Sequence, residues 1–118
     1  MRPEQTMIGL GQHVWTGASG KKYCYSLYMF GTAFGPGAAN FIYAREIKPG
    51  LHFPIYVGHT ADLSEPFSDH LVMQCVRMTR ATHIHVRYND AGEGQRHAEQ
   101  ADLVAQLTPP CNRPISSP

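Results

Sequence analysis

Residues 39–58 constrain this chain most. ANFIYAREI (39–47) and PIYVG (54–58) are rich in β-branched and aromatic residues, the composition of strands. KPGLHFP between them carries a Pro-Gly turn signal, short enough that the two segments meet as antiparallel neighbours. Gly58 ends the second strand, and Thr60 or Ser64 stands where a helix cap belongs. Leu63, Phe67, His70 and Leu71 then recur at helical spacing. Pro66 falls inside that pattern and fits only if it lies in the first turn of the helix.

The flanking segments extend the pattern. Residues 13–15, the turn GASG and then KKYCYSLYMF read as an aromatic hairpin, with Tyr23, Tyr25, Leu27 and Met29 on one face by period two. GTAFGPGA (31–38) is a glycine- and proline-rich loop. ATHIHVRYND (81–90) alternates: Ile84, Val86 and Tyr88 face one side, His83, His85 and Arg87 the other. QRHAEQADLVAQL (95–107) is the clearest helix, with Ala98, Ala101, Leu103, Val104 and Leu107 as its apolar positions and Pro109 and Pro110 closing it. The order is hairpin, strand, strand, helix, strand, helix, tail. It predicts a small α+β domain with a mostly antiparallel sheet flanked by helices. A single domain is expected over 1–118: a flexible start (1–12), a hairpin and loop extension (13–38), a core (39–112) and a tail (113–118).

Ten basic and nine acidic residues leave the chain near neutral, so net charge gives no hint of a nucleic-acid partner. No stretch approaches the roughly 18 apolar residues of a membrane span, and the first residues lack the pattern of a signal peptide. The three cysteines, Cys24, Cys75 and Cys111, are odd in number and form no CxxC pair. That predicts reduced thiols and a cytoplasmic protein, with Cys75 and Cys111 as small buried residues.

Four segments in order resemble the GIY-YIG nuclease family: FIY (41–43), YVG (56–58) with GHTADLSEPFSDH after it, and QADLVAQLTPPCN (100–112). The resemblance covers roughly residues 39–112. It implies a nuclease-like core and metal-dependent hydrolysis of DNA phosphodiesters, with Mg or Mn as the ion. It implies roles for Tyr43 and Tyr56, the first favoured as the proton-handling hydroxyl, for His59 and His70 beside them, and for Asn112. Two positions depart from the family pattern. Pro66 stands where the family has arginine, and Gln100 stands where it has the metal-binding glutamate. An amide keeps the shape but not the charge that hard cations prefer. Loss of one transition-state stabiliser of this type costs about a hundred- to thousandfold in rate. The expectation is therefore a nuclease-type domain with weakened or lost cleavage. The alternative is a catalytically silent module that binds nucleic acid or a protein.

Further residues carry chemistry in principle. Arg77, Arg80 and Arg87 are close in sequence and suit phosphate contact, as do Lys21 and Lys22 in the hairpin turn. Arg96, four residues before Gln100, shares its helix face and offers a substitute guanidinium in principle, but a surface arginine on a solvated face is the expected role. Trp15 and the hairpin tyrosines suit stacking on unpaired bases or, more simply, covering the sheet. His83 and His85 have a spacing that can chelate zinc, but an exposed polar strand face is the expected role.

Overall fold

The computed structural model describes residues 9–65 and 69–113. Strand β3 (Ala39–Lys48) pairs antiparallel with β4 (Leu51–Thr60) on one side and β5 (His83–Tyr88) on the other. β1 (Gln12–Thr16) and β2 (Lys22–Met29) form the expected hairpin. The hairpin is not an appendage: β2 hydrogen-bonds along β5, giving one five-stranded antiparallel sheet in the order β1-β2-β5-β3-β4.

Helix α1 (His70–Met78) covers one face of the sheet and α2 (Glu93–Leu107) the other. Period-two alternation sorts the side chains between them. Phe41, Tyr43, Ile84 and Val86 turn toward Val72 and Val76 of α1, with Cys111 of the short 3-10 turn Pro110–Asn112 completing that core. Trp15, Tyr25, Ile42 and Val57 turn toward Leu103 of α2. A register shift between Tyr43 and Ala44 leaves Ile55 outside the ladder, so the adjacent Ile55 and Tyr56 both pack on the α1 side. Pro54 sits beside this bulge, where a missing N–H is tolerated.

Two expectations about helices change. The first helix starts later than its apolar spacing suggests. Asp69 is the cap, its carboxylate accepting from the Val72 N–H at 3.1 Å. Ser64 instead belongs to a turn held by Asp62, whose Oδ1 accepts from the Ser64 N–H at 3.0 Å and hydroxyl at 2.7 Å. Pro66 and Phe67 lie outside the described residues. In α2 the buried positions are Arg96, Glu99 and Leu103, while Ala98 and Ala101 are exposed. The helix faces the sheet largely with polar groups: Glu99 accepts from Tyr25 and Arg87, and Arg96 Nη1 donates to the Asn89 carbonyl while its Nε is buried without a partner.

The cysteine expectation is overturned. Cys75 of α1 and Cys111 are joined in a disulfide, leaving Cys24 free and exposed. An odd count had hidden one pair and one spare. With this pair bridged, reduced thiols no longer stand as the sign of a reducing compartment. Among the described residues no helix is long and apolar enough to cross a membrane.

Candidate functional site

The β3–β4 register places Tyr43 directly opposite Tyr56. Gly58 of the YVG segment is a steric requirement. A Cβ there would lie 2.8 Å from both the Phe41 and the Tyr56 rings, which close over the backbone. Asn112 is fixed to the same strand: its amide accepts from the Val57 N–H and donates to the Val57 carbonyl, each at 2.8 Å. The Cys75–Cys111 bridge ties that turn to α1. Tyr56, Leu71, Val72, Gln100, Asn112 and Arg113 thus line one concavity of about 480 Å³.

Tyr43 opens on a different space. It lines a cavity of about 620 Å³ with Phe30, Phe34, Phe41, His59 and Arg77. The Phe30 and Phe41 rings each stand edge-on to Tyr43 with centroids 5.6 Å away. Burial raises the Tyr43 hydroxyl pKa, although the nearby Arg77 guanidinium opposes the rise. Burial also raises that of Tyr56, and the Asp69 carboxylate adds to the effect. Both hydroxyls are pushed away from ionisation, the opposite of the tuning expected for proton transfer.

The other expected site residues divide. His59 pairs across the sheet with Asn40, and its ring centre is 6.0 Å from that of His97 on α2. Burial, Arg96 and His97 lower its pKa. His70 is exposed at the start of α1 and lines neither cavity. Arg96 is buried, with Nη1 donating to the Asn89 carbonyl at 3.2 Å, which removes it as a substitute guanidinium. Arg87 is held by Glu99, with Nε 3.1 Å from Oε1. Lys21 and Lys22 border a cleft that also contains Arg87, Glu99 and Asp102, so its charge is mixed. Arg77 and Arg80 are exposed near the C-terminal end of α1, and Arg77 alone of these cations reaches the Tyr43 cavity. The expected phosphate contacts therefore form no single patch.

The metal question turns on Gln100 and Glu99. Gln100 stands beside Tyr56 and Asn112 with an amide. Glu99 belongs to the α2 face, accepting from the Tyr25 hydroxyl at 2.5 Å and from Arg87. Among the described residues no three His, Cys, Asp or Glu side chains are arranged to hold an ion. No family model, curated protein or solved structure matches the chain.

One constellation escaped the sequence. His83 and His85 are buried on the α2 side of the sheet rather than exposed. His13 of β1 and His52 of β4 join them, with ring centroids 5.4 Å apart for His13–His52, 4.9 Å for His52–His85 and 5.3 Å for His52–His83. Alternation puts each histidine on a face. The strand order that brings three strands together is not written locally.

Proposed function

We propose that this chain is a nuclease-type DNA-acting domain whose hydrolytic centre is disarmed, so that it binds rather than cuts. One observation carries the reading. At the concavity where Tyr56 and Asn112 meet, the side chain in the glutamate position is the uncharged amide of Gln100. The neighbouring carboxylate, Glu99, is committed to Tyr25 and Arg87 on the opposite face. Gln100 supplies one neutral oxygen where a magnesium- or manganese-like ion calls for carboxylate. The antiparallel neighbours of β3 on both sides, and the cross-strand tyrosine pair, suit the GIY-YIG resemblance. Arg77, at the mouth of an aromatic cavity, is the cation best placed to meet a phosphate beside a stacked base.

The test pairs cleavage with binding. Single-stranded and branched DNA incubated with the protein in Mg or Mn stay intact, while Pro66→Arg combined with Gln100→Glu raises cleavage about a hundredfold or more. Salt-dependent binding of the same DNA is present at low ionic strength and weakened by Arg77→Ala. Wild-type cleavage equal to that of the double variant would refute the disarmed centre. Absence of DNA binding at low salt would refute the DNA-binding half.

A further inference from the structure

The histidine cage lies on the α2 side of the sheet, away from the tyrosine concavities, and the proposed function makes no use of it. His85 is its hub and is fully buried. The Trp15 indole N–H donates to His85 Nδ1 at 3.0 Å, joining strand β1 to β5 across β2. Accepting at Nδ1 puts the neutral ring's proton on Nε2, which is buried without a partner. His52 Nδ1 is likewise buried without a partner. A metal-ligating histidine usually donates its other ring N–H; His85 accepts there instead, so it is poorly set up as a ligand.

We infer that the cage of His13, His52, His83 and His85 is an acid-operated latch that holds Trp15 and strand β1 against the sheet when neutral and releases them when it charges. A proton on His85 Nδ1 removes the acceptor of the Trp15 bond and places a cation among three other imidazoles. The surroundings offer little relief. β1 contributes His13, β4 contributes His52, and β5 contributes His83, bonded to Thr82. β3 contributes Glu46, a carboxylate that acts on His52 and opposes its depression. β2 contributes Leu27, opposite His85, and Tyr25, whose hydroxyl is taken by Glu99 of α2. Burial holds His13, His52 and His85 below the usual histidine pKa, His85 down to about 3. For a depressed histidine, stability is complete above the unfolded value of about 6.5 and declines as pH falls from there toward the folded value.

The other end of the hairpin responds differently. The Asp102 carboxylate accepts from the Ser19 N–H at 2.8 Å, the Ser19 hydroxyl at 2.7 Å and the Tyr23 hydroxyl at 2.8 Å. Gly17 leaves room for it: a Cβ there would lie 2.1 Å from Asp102 Oδ2. The Ser19 hydrogen bonds, chiefly, hold the Asp102 pKa below the ordinary value. These three bonds clamp the turn independently of the histidines, so the release is expected at the histidine end of the hairpin.

Trp15 is the only tryptophan, so its fluorescence reports on the latch directly. The experiment titrates the full chain from pH 8 to 3 in EDTA, following emission and far-ultraviolet circular dichroism. Emission is expected to shift to the red with a midpoint below about 6.5 while secondary structure persists. The double variant His13→Gln, His52→Gln, at half-buried positions, removes two of the depressed histidines whose charging drives the opening and so moves the midpoint down by about half a unit or more. An unchanged emission overturns the latch. So does an unmoved midpoint in the double variant, or a dichroism loss coincident with the emission change. Suppression of the transition by added zinc or nickel also overturns it, because the cage is then a metal site.

Discussion

The two faces of the sheet are built by different rules. The α1 face is apolar rings and aliphatic side chains stapled by a disulfide, with its polar groups at the margin. The α2 face buries Asn40, His83, His85, Arg96 and Glu99. Buried polar groups need partners. Asn40 Nδ2 accordingly donates to the Arg96 carbonyl at 2.9 Å, and Glu99 takes Tyr25 and Arg87. The comparison teaches where charge has been spent. The carboxylate on α2 that is fully engaged is structural, while the position facing the candidate concavity carries an amide.

The largest effect should come from breaking the α2 face. Glu99→Ala leaves the fully buried Tyr25 hydroxyl without its acceptor and takes the ion partner from Arg87, which is 38% exposed and can turn to water, so a loss of about 3 kcal/mol is expected, chiefly from the buried hydroxyl. Gln100→Ala, one residue away but half-buried on the other side, should stay within about 0.5 kcal/mol. Urea denaturation of both variants measures the contrast. Equal losses would show that the faces are not divided in this way.

That contrast marks the limit of what the sequence disclosed. The five strands, both helices and the α+β class were legible because each rests on local periodicity and turn chemistry. Lys22–Met29 alternates and Pro109 stops α2 with no reference to the rest of the chain. The adjacency of Tyr56, Gln100 and Asn112 was legible only through the resemblance. The burial of Arg96 and Glu99 was not legible, because a helix that turns charged residues inward looks inverted until Tyr25, Asn89 and Arg87 are placed opposite. The later start of α1 was missed for a related reason. Ser64 and Asp69 are both competent caps, and only the Asp62 turn removes Ser64 from the competition.

A smaller effect should come from the α1 face. Cys75→Ser with Cys111→Ser opens a link with a sequence separation of 36. A bond closing a loop of that order contributes about 2–4 kcal/mol, chiefly by restricting the unfolded chain. The expected result is a lowered urea midpoint with the sheet intact by circular dichroism. The same loss should follow from adding reductant to the wild type. Variants indistinguishable from wild type in both measurements would leave this face held by its apolar packing alone.

The smallest effect sharpens the comparison at the site itself. Asn112 makes two bonds to Val57, one as acceptor and one as donor, so its amide is already occupied by the backbone. Asn112→Ala should cost about 1–3 kcal/mol, because the Val57 N–H and carbonyl lose their side-chain partners. Asn112→Asp separates the two bonds. A carboxylate still accepts from the Val57 N–H but cannot donate to the carbonyl, and it faces that oxygen with like charge. Its cost should therefore match or exceed that of alanine, despite its closer shape. If Asn112 instead served mainly to hold a phosphate, both variants would keep wild-type stability and lose DNA binding. A stability loss at unchanged DNA affinity assigns Asn112 to the scaffold and leaves Arg77 as the contact that decides binding.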